Sequence, residues 1–168
     1  MTNKTTPASG NAYLYTIFDD LRNNEEKFKT LKNHLERNKI ESAITIFNQM
    51  KEDPFKDKAR LEIIITYLEL NQIDKAVALF HEMEEGPYEL PDRAIASQKI
   101  IEAYLKQNQT ENAIIIFDKM GAGHFKRLAR LEIIRTYLKL DQIDKAIAIF
   151  DETKEWDDKN EASLEFIE

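Results

Sequence analysis

The sequence predicts an all-α fold, a solenoid of about four helix-turn-helix repeats, on three observations. The first is a string used twice. Ala59 to Glu84 returns 70 positions later as Ala129 to Lys154, with roughly 18 of 26 positions identical and conservative swaps such as Leu79/Ile149 and Asn71/Asp141 among the rest. The second is that two weaker copies interleave with these, so one unit recurs four times. Self-similarity at a period of about 20–50 residues marks a stacked repeat architecture. The third is the scarcity of helix breakers, four glycines and four prolines in 168 residues.

Composition sets the outer limits. With 42% apolar and 33% charged residues the chain fits one folded, helical domain and has far too much Ile, Leu and Phe to be disordered. The formal net charge of −7 argues against nucleic acid, whose affinity comes mostly from phosphate neutralisation, and against an anionic membrane surface. No cysteine is present, so disulfides and thiolate chemistry are excluded. Apolar runs such as Ile63–Ile65 and Ile114–Phe117 are far too short to span a bilayer, and no basic-then-apolar signal opens the chain. The expected location is the cytoplasm. The polar, Ser/Thr-rich start makes a secreted bacterial effector, delivered into a host cell, the alternative.

Residues 1–11 read as a disordered N-terminal tail. From Ala12 to Arg22, Leu14, Phe18 and Leu21 fall at helical spacing, the face of an N-terminal capping helix covering the first repeat. The repeat domain then occupies 12–168, with repeats at approximately 25–53, 56–86, 92–121 and 125–155, and 159–168 as a candidate C-terminal cap.

Within the repeats, columns align. An aromatic column holds His34, Tyr67, Tyr104 and Tyr137, each followed by Leu. Four residues after it stand Asn38, Asn71, Asn108 and Asp141, residue types that tolerate the left-handed backbone at which helices often end. Three further on comes an acid (Glu41, Asp74, Glu111, Asp144), placed to complement the dipole of a second helix. Ala43, Ala76, Ala113 and Ala146 mark a close helix crossing. Phe47, Phe80, Phe117 and Phe150 fill the space beside it on the same helical face. The alanines are 33, 37 and 33 apart, so repeats one and two match three and four as a 70-residue double unit. Gly and Pro fall between repeats, at Pro54, Gly86–Pro91 and Gly121–Gly123.

A unit of this length with an aromatic, an Ala nine later and a Phe four after that resembles the tetratricopeptide repeat (TPR). The resemblance covers roughly residues 25–155 and implies a right-handed superhelical solenoid. The family's Trp early in the first helix is absent, and the turn Gly is replaced by Asn or Asp. The string Ala-x-x-[Leu/Ile]-Phe-x-x-Met, as in Ala76 to Met83, resembles the pentatricopeptide (PPR) repeat equally. PPR resemblance implies single-stranded RNA binding, through a polar residue six before the aromatic. Here that position holds Phe28, Leu61, Gln98 and Leu131, three of which cannot read a base edge.

TPR resemblance implies instead a groove lined by the first helices, at positions six and two before the aromatic and one and two after it. Those positions give a leucine-lined groove with alternating charge, suited to a peptide or partner protein. The candidate partner-binding residues are Lys32, Leu61, Ile65, Leu68, Gln98, Glu102, Leu105, Arg135 and Leu138. The expected function is a protein-interaction scaffold or adaptor, with RNA binding the alternative and a homodimer through exposed repeat ends a further candidate.

No chemistry was found to set against this. His34, His81 and His124 match no metal spacing, and Gly121-Ala122-Gly123 is no strand-to-helix phosphate loop. Adjacent acids such as Asp19-Asp20 cannot face one another on a helix. The sequence therefore predicts no catalytic residue, no metal and no cofactor.

Overall fold

One helix-ending residue recurs at the same place in every copy and divides the chain into hairpins. In the computed structural model, which describes residues 9–83 and 91–151 with side chains from residue 17 onward, Asn38, Asn71, Asn108 and Asp141 have φ of 56°, 58°, 57° and 56°. This is the left-handed region, and it lets two backbone N–H groups turn back on the helix. In the second repeat the Asn71 N–H donates to the Leu68 carbonyl at 3.0 Å and the Gln72 N–H to the Tyr67 carbonyl at 2.8 Å. The same pair forms after each first helix, a Schellman closure that satisfies carbonyls the helix would otherwise orphan.

The helices run α1 (Ser9–Glu36), α2 (Ile40–Phe47), α3 (Pro54–Glu69), α4 (Ile73–His81), α5 (Pro91–Lys106), α6 (Thr110–Asp118), α7 (His124–Lys139) and α8 (143–151). There is no strand among the described residues. Helix starts are equally local. Asp53 caps α3, its carboxylate accepting from the Lys56 N–H at 2.9 Å, while Pro54 occupies the first turn where no donor is needed.

The packing order makes this an all-α repeat solenoid. Helices α1, α3 and α5 each pair with the helix that follows, and α1, α3, α5 and α7 pack successively on one another. Among α2, α4 and α6 no two make contact; each touches the next repeat's first helix instead. The first helices thus form the more closely packed layer. Between the layers lies the core. Ala43, Ala76 and Ala113 are wholly buried, with Phe47, Phe80 and Phe117 beside them at the crossing of each hairpin.

The N-terminal region departs from expectation. The capping segment at 12–22 is continuous with the first helix of repeat one, since α1 runs unbroken and begins at Ser9, inside the stretch read as tail. No Gly or Pro interrupts it after Gly10. Phe18, expected on the covering face, is 61% exposed. Polar contacts secure this part instead. The buried Asn24 side chain donates to the Lys51 carbonyl at 2.8 Å, Lys51 Nζ meets Asp20 at 2.8 Å, and Lys27 Nζ donates to the Gln49 carbonyl at 2.7 Å. Residues 1–8 and 152–168, which include the expected C-terminal cap, lie outside the described residues.

Candidate functional site

Where two first helices run side by side, the flank of one and the facing flank of the next leave a hollow. Between α3 and α5 it measures about 330 Å³, with Ile65, Leu68 and Ala103 as its apolar lining and Glu69, Lys99, Glu102 and Lys106 as its charged lining. Between α5 and α7 a second hollow of about 300 Å³ is lined by Leu105 and Leu140 together with Glu102, Lys106, Glu132, Thr136 and Lys139. Glu102 and Lys106 belong to both. The two hollows are therefore neighbours along one surface, divided by the α5 ridge.

Of the residues singled out from the sequence, Ile65, Leu68, Glu102 and Leu105 are brought together here. Leu61 is half-buried and packs against the core one helical turn before Ile65. Gln98 occupies the turn before Glu102 and donates from Nε2 to Glu102 Oε1 at 3.0 Å. Lys99 Nζ reaches the other oxygen, Oε2, at 3.1 Å. Glu102 is thus oriented by its own helix, both oxygens engaged.

The remaining three stand elsewhere. Lys32 bridges α1 to α3 through Glu62 at 2.8 Å, and that hydrogen-bonded partner holds its ammonium above the ordinary lysine value. Arg135 is exposed and paired with Glu132 at 2.7 Å, while Leu138 is 54% exposed. Neither lines either hollow.

Sequence reasoning missed the other wall. Taking the same positions from every helix overlooks that a space between two helices is bounded by different flanks of each. Lys99, Glu132 and Thr136 sit one residue around the helix from the positions chosen, a rotation of about 100° that turns them toward the preceding helix. The signal available was this geometry.

A second missed feature holds the repeats together. Every first helix from α3 onward carries a basic residue eleven before its tyrosine, and each lies over the Phe of the preceding repeat. Lys56 Nζ is 5.4 Å from the Phe47 ring centroid, the Arg93 guanidinium 4.5 Å from Phe80, and Lys126 Nζ 5.0 Å from Phe117. Arg93 also donates to the Met83 carbonyl at 3.0 Å, and Lys126 to that of Met120 at 2.9 Å. Arg93 and Lys126 thus neutralise carbonyls at the end of the preceding repeat while lying over the ring beside them, whereas Lys56 Nζ pairs with Glu52 at 2.6 Å.

Comparison with known proteins agrees with the repeat geometry. The family model for the PPR repeat matches residues 63–86 and 99–122, the bodies of the second and third hairpins. The second and third hairpins are PPR-like helical repeats. No curated protein matches this sequence. Among solved structures it is similar to a Podosopora anserina chain described as a kinesin light chain with nearly identical TPR-like repeats, at 13% identity over 81% of this chain and 95% of that one, TM-score 0.31. A point variant of the same protein aligns at 14% identity over 76% of this chain and 71% of that one, TM-score 0.47. Among the described residues no helix is long and apolar enough to cross a membrane.

Proposed function

We propose that this repeat scaffold binds a segment of a partner protein along its first helices. The observation that carries this reading is the pair of adjoining hollows, with Ile65, Leu68 and Leu105 as apolar lining between charged rims. Such a surface receives alternate side chains of an extended or helical segment, apolar anchors giving affinity and charges giving register. Lys106 and Lys139 make no ion pair with any described residue, so an acidic residue in the partner meets an unspent positive charge.

Single-stranded RNA is the second reading, favoured by the PPR family match. The chemistry of the hollows weighs against it. They hold no aromatic ring for a base to stack on, and Glu69, Glu102 and Glu132 stand among the lysines.

The test is a selection of displayed 16-residue peptides on the full chain, followed by titration of the enriched peptides against Glu102→Lys/Lys106→Glu. Both residues sit on the surface layer, so the melt is expected to stay unchanged while affinity falls at least tenfold. Peptides that bind the double variant as well as the parent place the site elsewhere. A labelled single-stranded RNA that shifts at low salt, where no peptide is enriched, moves the assignment to the second reading.

A further inference from the structure

The last described repeat exposes columns that its predecessors cover. Leu131, Leu138, Ile143 and Ile147 are 49%, 54%, 52% and 52% exposed. Their counterparts one and two repeats earlier (Gln98 and Leu61, Leu105 and Leu68, Thr110 and Ile73, Ile114 and Val77) are buried or half-buried. What covers those is the next first helix: α5 packs on α3 and α4, and α7 packs on α5 and α6. The α7–α8 face is therefore shaped for one more helix of the same kind.

The sequence beyond α8 repeats the residue pattern of a first helix in register. Lys159, Ala162, Leu164, Glu165, Phe166 and Ile167 fall 33 positions after Lys126, Ala129, Leu131, Glu132, Ile133 and Ile134. That is the spacing separating the alanines within each double unit. The stretch 152–158 is also comparable in length with the earlier connections at 48–53, 82–90 and 119–123.

In the described repeats the work of these columns is visible. Ala59, Ala96 and Ala129 are at most 1% exposed, and Ile63, Ile100 and Ile133 are fully buried. Lys56 and Lys126 follow the rings they cover, Phe47 and Phe117, by nine residues. Nine residues after Phe150 is Lys159.

We propose that residues 159–168 are the opening turns of a fifth first helix, docked on the α7–α8 face with Lys159 over the Phe150 ring and Ala162, Phe166 and Ile167 buried. The C-terminal segment then continues the repeat rather than forming a separate cap. Glu165 takes the place that Glu132 and Lys99 hold in the hollows already described, so Arg135 and Leu138 gain an opposite wall. The docking stands independently of whether the groove binds a peptide.

Hydrogen exchange on the full chain tests this directly. Amides of residues 163–168 are expected to exchange at least tenfold more slowly than an unstructured peptide of the same sequence, at every protein concentration. In Phe166→Asp that protection is expected to vanish and exchange in α7 and α8 to accelerate, while α3 and α4 keep their rates. Should the variant fail to fold, the unmodified chain alone decides. Free exchange of 163–168 overturns the proposal. Protection that appears only as dimers form in sedimentation also overturns it, because a second copy would then occupy the face.

Discussion

Asn108 offers a way to weigh the hairpin closure without touching the core. Its φ is 57° and its side chain is exposed, so substitution there acts almost wholly through the backbone. A side chain with a Cβ in this conformation costs about 1–2 kcal/mol, and Asn is among the residues that visit it most readily. Asn108→Gly removes the clash but frees the unfolded chain, which costs about 0.4–1 kcal/mol, so it is expected to be neutral or stabilising by up to about 0.5 kcal/mol. Asn108→Ala is expected to lose about 0.5–1 kcal/mol, and Asn108→Val, β-branched and crowded, about 1–2 kcal/mol. The assay is urea unfolding followed by far-ultraviolet circular dichroism, reading midpoints at unchanged slope. If Val at this position matches Asn in stability, the left-handed closure is not what ends the first helix, and the reading of the whole Asn/Asp column fails with it.

Three further predictions probe other parts of the architecture. Phe117→Ala, at a ring 1% exposed, is expected to cost about 3–5 kcal/mol, whereas Ile115→Ala, at a side chain 55% exposed, is expected to stay within about 0.5 kcal/mol in the same unfolding assay. Arg93→Met keeps an unbranched apolar stem but removes the charge over Phe80 and the donor to Met83, so a loss of about 1–3 kcal/mol is expected, with faster hydrogen exchange at the α4–α5 junction. Burial raises the hydroxyl pKa of Tyr67, Tyr104 and Tyr137, and the nearby acids Asp74 and Glu111 add to the rise at the latter two. Their stability contribution is then fully present below the unfolded tyrosine value of about 10 and is lost as pH climbs through the raised folded values. Melting temperatures are therefore expected to decline above that pH, with tyrosinate absorbance lagging behind that of the denatured chain.

Much of the fold was legible because it rests on local chemistry. The Asn/Asp column had to be a left-handed turn, since few other residue types tolerate that backbone, and the Ala and Phe columns read as core, since four copies agreed on size at a helical period. The Ala column and Phe47, Phe80 and Phe117 are buried, while Phe150 in the last described repeat is 52% exposed. The candidate site was legible only in part. Ile65, Leu68, Glu102 and Leu105 converge because they share one flank with the helix that follows them. Lys32 does not, because Glu62 on the next helix takes it up, a pairing that depends on the lateral register of α1 on α3. The cation over each Phe was hidden for a related reason. Lys56, Arg93 and Lys126 look like ordinary surface bases until tertiary packing lays them over the Phe of the preceding repeat, where the long side chain buries its stem and, at Arg93 and Lys126, the charge meets a carbonyl.

The same logic makes the proposed groove directional. Two residues after the aromatic column stand Glu36, Glu69, Lys106 and Lys139, two acids followed by two bases in the order of the stack. Glu69 and Lys106 face each other across one hollow, and Lys106 and Lys139 share the next. Neighbouring helix axes lie roughly 8–10 Å apart, so Glu69 and Lys139 are separated by about 16–20 Å, the span of about 5–6 extended residues. A bound segment with a basic residue at one end and an acidic residue some six positions away therefore fits in one orientation only. Reversing the order of those two charges in a selected peptide is expected to weaken it about tenfold at low salt, and the penalty is expected to shrink as added salt screens the exposed charges. Exchanging the protein's own charges, with Glu69→Lys and Lys139→Glu together, is expected to restore the reversed peptide. If the double exchange weakens both peptides alike, those residues are not a register pair, and the peptide's direction is set by the apolar anchors Ile65, Leu68 and Leu105 instead.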